Sequence, residues 1–438
     1  MNNPDIALLT TEAHGVTRSN SRSNSRNHSR SFMRYILNSV TPCLPRANLW
    51  LSKLCDHKVF NFLLLFCLSF FSNCCFLSGQ VKVRIYANQT PESVLFSVTG
   101  GKYQIDSFNG KNEIIKEGEM AIISKYNGKL VVKIISKTGF ICDSVIFLGL
   151  TGNDSFALRT NGQAPVRQFY NGDLKCFPDL GTLVFVNISD IESYIAGVVK
   201  TEGGSGKNIE YLKTQAIIAR TYMYKYFNKH ASDFYNLCDN THCQAFNGIT
   251  KDTLITRATY STSGQVILAP DSTLIISAFH SNCGGETSPS ENVWLTEQIY
   301  LKRVIDPYCI KSRNAIWQKK LSINDWTAYL KKMGYNGSYG DSSLLNFSQR
   351  SRSNNYRVGN FSLPLSQIRM DLNLRSTFFS VTVAGDSVVF DGRGYGHGVG
   401  LCQEGAMEMA DKGYDFKKII GFYYPGVIIS DIKNALTK

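Results

Sequence analysis

From residue 81 onward, apolar and polar positions alternate. In VKVRIYANQTPESVLFSVTGGKYQIDSFNGK and AIISKYNGKLVVKIIS the alternation runs between Gly and Asn turn signals, and Asn127-Gly128 is a strong hairpin signal. Residues 81–186 are therefore expected to be mainly β, with GTLVFVNIS as the last strand. The period then changes. Ser189 and Glu192 are spaced as a capping box, with Asp190 beside them, and Ile191, Tyr194, Ile195, Val198 and Val199 follow the three-four spacing of one helical face. Glu202 continues that face four residues beyond Val198, so a carboxylate stands among side chains expected to be buried. A second helix, about 209–229, places Leu212, Ala216, Ala219 and Met223 on one stripe and Lys213, Ile217, Arg220 and Tyr224 on another.

Toward the end, FFSVTVAGDSVVFDG reads as a hairpin, GRGYGHGVGLCQEGAMEMADKG enters a helix, and DFKKIIGFYYPGVIIS closes the chain as a helix and a strand. Residues 310–375 carry little pattern beyond a helix around 324–332 and read as an insertion. The fold class expected is α+β: a mainly β part over 81–186, then a mixed helix/sheet core over 187–438. Ahead of both, residues 1–58 form a Ser/Arg/Asn-rich basic leader expected to be disordered. Residues 59–78 form an apolar run read as a signal peptide or signal-anchor helix; a start at Met33 would shorten the leader.

The net charge of +13 favours an anionic partner: nucleic acid, an anionic membrane face or an acidic cell-wall polymer. Eight Lys/Arg against three Asp/Glu fall within residues 1–58, where the simplest use of positive charge is to orient the apolar run. Nucleic-acid binding is therefore not expected. Beyond that run stand seven cysteines, an odd number that cannot all pair within one chain. Cys238, His242 and Cys243 cluster in LCDNTHCQAF, with His280 and Cys283 in FHSNCGG; zinc, a Cys238–Cys243 disulfide and free thiols all fit this spacing.

Glu202 lies at the C-terminal end of its helix, where the dipole disfavours an anion, and Gly203 and Gly204 after it open a cleft. An apolar setting raises a glutamate pKa and suits it to general-acid work. Lys213 or Arg220 nearby would pull the other way, and an exposed helix-end glutamate is the plain alternative. Glycine at 392, 394, 396, 398 and 400 admits either a ligand or another strand close to the backbone, and His397 fits either a binding or a structural role. A cysteine hydrolase built on Cys283 or Cys402 with His280 or His397 has no order of residues to mark its nucleophile.

In chain order, RQFYNGDL, VNISDIESYIAGVVKTE, YLKTQAIIARTY, CDNTHCQAF, AFHSNCGGETSPSENVW and GRGYGHGVGLCQEGAMEMADKGYDFKKIIGFYYPGV resemble the SpoIID/LytB family over residues 81–429. The resemblance implies a peptidoglycan lytic transglycosylase that cleaves the MurNAc-β-1,4-GlcNAc bond of peptide-stripped strands, with Glu202 as catalytic acid. It implies a glycan groove held by Lys213, Gln215 and Arg220, and His280, Ser281, Tyr395, His397 and Gln403 are further candidates for substrate binding. It also implies zinc near Cys238 and Cys243, to which the spacing adds His242 as a third candidate ligand. Such a protein would work in the bacterial envelope, tethered or exported, during wall remodelling or septation, with a cell-wall amidase as a partner. A non-catalytic amidase enhancer that binds glycan is the alternative the family name carries. Departures from the family pattern are Cys283 and Cys402 at serine-like positions and the absence of a proline from GGSGKN after Glu202.

Overall fold

The computed structural model describes residues 79–436 apart from 109, 162–166, 295 and 338–344. The leader 1–58 and the apolar run 59–78 lie outside these residues. Among those described, no helix is long and apolar enough to cross a membrane.

Alternation in the N-terminal part resolves into two sheets. One runs Gln80–Ile85, Thr182–Asp190, Asp173–Asp179, Val145–Gly149, Lys102–Asp106, Asn112–Lys116, all antiparallel, with Leu237–Cys238 added in parallel to the outer side of Gln80–Ile85. The other runs Arg167–Asn171, Ser155–Thr160, Ser93–Gly100, Met120–Tyr126, Lys129–Ile134, Phe140–Cys142. Val94, Phe96 and Val98 point inward from one strand while their neighbours stay partly exposed, as a period of two requires. The sheets meet through aromatics: Phe96 stacks on Phe147 of the opposite sheet at 4.3 Å between centroids and meets Tyr103 edge-on at 5.3 Å. Asn127 and Gly128 both take positive φ (46° and 75°) at the turn joining Met120–Tyr126 to Lys129–Ile134, which the hairpin signal demanded.

The strand Thr182–Asp190 runs straight into helix α1, Ile191–Val198. Its cap is Asp190, whose carboxylate accepts the Ser193 amide at 2.9 Å. This shifts the expected capping box by one residue, because Ser189 is buried and donates to Asn171 Oδ1 (2.8 Å) and Glu192 is turned to Arg220. Helix α2, Ile209–Lys225, is capped by Asn208 and ends four residues short of the expected 229. It is the central helix of the core, buried from Tyr211 to Met223 save Lys213.

Residues 316–393 carry a hydrophobic core of their own. The strand Ile316–Ser322 pairs with Ser387–Arg393, which pairs with Phe379–Ala384, and the helix Ile323–Lys332 and the hairpin 355–364 pack around Trp326, Tyr356, Val381 and Phe390. The segment read as an insertion thus shares its core with the hairpin that follows it. At the end of the chain, Phe279–His280 pairs in parallel with Leu401–Cys402, the helix Gln403–Asp411 begins at once, and Ile428–Asp431 pairs with Gln265–Leu268.

Candidate active site

Glu202 owes its position to a change of winding. After Val198 the chain makes one π-helical turn, Val199–Gly203, and leaves at Gly204 with φ of 79°. Thr201 Oγ1 bonds back to Gly197 O at 2.9 Å. Gly197 is needed beneath this turn, since a Cβ there would stand 2.5 Å from Gly248 O and from the Phe246 ring.

The Glu202 carboxyl is only partly accessible but ringed by protein, the environment of a group at the floor of a cleft. Its Oε1 accepts the Ala245 amide at 2.7 Å. Burial pushes its pKa up to about 7, and the Ala245 bond only partly opposes this. Gln403 Nε2 donates to the Glu202 carbonyl at 3.0 Å and lies 3.5 Å from Gln215 Oε1. Gln215 is buried, and its Nε2 has no acceptor among the described residues. Tyr211 donates to Gly203 O at 3.3 Å. Glu404, the next residue after Gln403, is engaged elsewhere: its oxygens accept from Asn282 Nδ2 (2.7 Å), Ser312 Oγ (2.5 Å) and Asn314 Nδ2 (2.5 Å).

Of the expected groove residues, Gln215 and Gln403 join Glu202 and two cations do not. Arg220 is wholly buried; its Nε and Nη2 grip Glu192 at 2.9 and 2.5 Å, and Gln265 O and Thr259 O take further donors. A guanidinium so placed is an internal clamp between α1, α2 and the chain at Thr259–Gln265, which corrects the expectation of a glycan ligand. Lys213 is turned away as well, toward Glu210 (2.7 Å) and the face of Phe416 (5.7 Å).

His280 and His397 form a second group, 5.5 Å apart between ring centres, with Trp294 5.6 Å from His397. His397 donates through Nε2 to Phe279 O (2.9 Å) and accepts the Val399 amide at Nδ1 (3.0 Å), which fixes the neutral ring; burial lowers its pKa to about 4. His280 donates through Nδ1 to Val399 O (3.1 Å), leaving a buried Nε2 without a partner among the described residues. Ser281 holds this segment by its backbone, its carbonyl accepting the Glu404 amide at 3.0 Å. Asn282 and Tyr395 exchange backbone bonds (3.0 and 2.8 Å), and Arg375 lies over the Tyr395 ring at 5.9 Å. The glycine series admits another strand: a Cβ at Gly394 would meet Asn282 O at 2.6 Å and one at Gly396 would meet His280 Cβ at 2.8 Å.

The cysteine pair gains a partner that sequence reading missed. His230, Cys238, His242 and Cys243 bring their ligand atoms within 4.8 Å of one another, with Cys243 Sγ 3.4 Å from His230 Nε2 and Cys238 Sγ 3.6 Å from His242 Nδ1. Two sulfurs and two imidazole nitrogens at this spacing fit a closed tetrahedral zinc site. Cys283 belongs to a different cluster, with Asp306, Cys309 and Cys402. The Cys238 segment is pinned by its strand pairing and by Asp239, whose carboxylate accepts the Tyr86 and Ala87 amides at 2.6 and 3.1 Å. His230 precedes Cys238 by eight residues, a spacing within reach of the same metal, whereas the roles of Ala245 and of Glu192 leave no sequence signal.

The arrangement defines a class: a β-rich support carrying a helix-end acid of raised pKa against a buried polar floor. The family model described as Stage II sporulation protein, SpoIID, matches residues 180–268. The chain is 30% identical to stage II sporulation protein D of Bacillus subtilis, over 57% of this chain and 76% of that protein. It is 29% identical to an uncharacterized protein of Brachyspira hyodysenteriae, over 76% of this chain and 88% of that one. It is 25% identical to the amidase enhancer of Bacillus subtilis, over 54% of this chain and 40% of that protein. The chain belongs to the SpoIID family.

Proposed function

We propose that this protein is a peptidoglycan lytic transglycosylase of the cell envelope with Glu202 as its single acid and base. The observation that carries the reading is the setting of the Glu202 carboxyl, in the π-helical turn after α1, ringed by protein and bonded to the Ala245 amide, where burial raises its pKa to about 7. Near neutral pH such a group is shared between acid and carboxylate, so it can give a proton and take one back. In the first step Glu202 protonates the glycosidic oxygen between MurNAc and GlcNAc, and the bond breaks as positive charge develops at the muramoyl C1. In the second, the Glu202 carboxylate removes the proton of the muramoyl C6 hydroxyl, whose oxygen closes on C1 to give the 1,6-anhydro sugar. The intramolecular hydroxyl stands in for the water that ordinary glycosidases activate with a second carboxyl. Ala245 N–H orients the carboxyl and Gln403 holds the turn that carries it, with the buried Gln215 side chain packed against Gln403 beneath.

His280 and His397, with Ser281 and Tyr395 beside them, would form the further part of the glycan groove. His230, Cys238, His242 and Cys243 would hold zinc; with no ligand position left open, the ion would supply folding energy and would fix the loop that delivers Ala245. The apolar run 59–78 would direct the catalytic region across the cytoplasmic membrane, as a retained anchor or a cleaved signal.

The relative named amidase enhancer supports a second reading, in which the same groove presents glycan to a partner amidase without cutting it. Mass spectrometry of products released from peptide-stripped peptidoglycan separates the two. Anhydro-muramoyl products made by the wild type and lost in Glu202→Gln are expected; reducing-end muramoyl products would mean hydrolysis, and glycan binding without products would leave the enhancer reading.

A further inference from the structure

We propose that Cys283, Asp306, Cys309 and Cys402 form a second metal site, a closed zinc centre of three thiolates and one carboxylate that fastens three chain segments together behind Glu202. The four side chains are all buried and their ligand atoms lie within 4.8 Å of one another. With Zn–S of about 2.3 Å and Zn–O of about 2.0–2.2 Å, tetrahedral edges come to roughly 3.8 Å between sulfurs and roughly 3.5 Å from sulfur to oxygen. Cys283 Sγ stands 3.3 Å from Cys309 Sγ and 3.1 Å from Asp306 Oδ2, so the ligands need spread only slightly to admit the ion.

The surroundings are those of thiolates. The Cys283 amide is aimed at Cys402 Sγ (3.2 Å) and the Gly285 amide at Cys309 Sγ (3.3 Å), bonds that favour the charged sulfur. Gly284 and Gly285, at φ of 72° and 95°, give the backbone the turn that aims them. The carboxylate is oriented from outside the cluster, as metal ligands are: Asp306 Oδ1 accepts the Tyr308 amide (2.8 Å) and Oδ2 the Tyr423 hydroxyl (3.0 Å). Arg352 donates to Cys283 O at 2.7 Å, which brings a cation beside a ligand set whose four negative charges exceed the two of the ion. Three soft sulfurs select zinc over magnesium or calcium. Binding releases the three thiol protons to solvent and changes no oxidation state.

A Cys283–Cys309 disulfide is the rival, and it would strand the Cys402 thiol and the Asp306 carboxyl in a buried site. The ion instead engages all four. Its position also has a use: Cys402 is the N-cap residue of Gln403–Asp411 but makes no capping bond with its side chain, and Gln403 is the residue that reaches the Glu202 carbonyl.

The test is elemental analysis of the purified full-length protein, joined to zinc-edge X-ray absorption on the same sample. About two zinc ions per chain are expected, with more sulfur around the average zinc than the two-sulfur, two-nitrogen site alone provides. Cys309→Ser should lose one zinc, and Cys238→Ser with Cys243→Ser should lose the other. Cobalt loaded into that double variant should still give tetrahedral visible bands and a sulfur-to-cobalt near-ultraviolet band. A single zinc per chain that vanishes in the double variant, no cobalt bands there, or a Cys283–Cys309 disulfide in peptides of the unreduced protein would each overturn the proposal. The wild-type count and sulfur number need no variant to fold.

Discussion

Replacing Glu202 with glutamine should stabilise the protein, and only above a defined pH. Glutamine keeps an oxygen for the Ala245 amide and copies the neutral acid, so below about pH 4.5 the two proteins should unfold alike. The sign follows from the direction of the shift. Because the folded-state pKa is raised, from 4.5 to about 7, the contribution of the neutral acid is fully present below the unfolded value and is lost as pH rises through the folded one. At 1.36 kcal/mol per unit the ceiling is about 3 kcal/mol, and the part of Glu202 that remains accessible lowers the expectation to about 1–3 kcal/mol. The advantage of Glu202→Gln should therefore open between pH 4.5 and 7 and stay level at pH 8. Urea unfolding at pH 4.5, 6, 7 and 8 measures it. An advantage that does not change with pH, or a loss of stability at pH 8, would refute the claim that desolvation governs this carboxyl.

Three other outcomes follow. As Glu202 ionises, kcat/KM for glycan cleavage should fall as pH rises through about 7, read as anhydro product released per minute against pH; a profile still rising at pH 8 contradicts the acid role. Arg220→Met leaves Glu192 without its partner and should cost about 3–5 kcal/mol in a denaturant titration, whereas a change below about 1 kcal/mol would mean that the clamp contributes little. Gly197→Ala forces a methyl against Gly248 O and the Phe246 ring and should lower stability by about 1–3 kcal/mol; an unchanged midpoint would show that α1 can shift freely beneath Glu202.

Much of the frame was legible because it depends on local rules. Period-two alternation and the Asn127-Gly128 turn marked the sheets, and the three-four spacing of α1 led directly to Glu202. What stayed hidden depends on contacts between distant residues. Arg220 and Lys213 read as cations available for a ligand, yet Arg220 meets Glu192, 28 positions earlier, inside the core. Spacing put Cys283 with the Cys238 group, and the tertiary fold instead sets it beside Asp306, Cys309 and Cys402. The glycine series admitted a ligand or a strand, and only the backbone path shows the chain around His280 against Gly394, Gly396 and Gly400, with Trp317 and Arg352 at Gly392 and Gly398. Residues 310–375 gave little signal because their apolar positions face a core completed by the later hairpin 379–393.

The parallel pairing of Leu237–Cys238 with Gln80–Ile85 bears on how this chain can be divided. The loop that delivers the Ala245 amide leaves from that edge, and Thr182–Asp190 enters α1 without a linker. A fragment cut at residue 187 would begin inside a strand, lose the Gln80–Ile85 strand on which Leu237–Cys238 pairs, and free the loop that orients the acid. The β part is thus joined to the helical core as scaffold to working edge, and recombination, truncation or domain grafting has to carry both together.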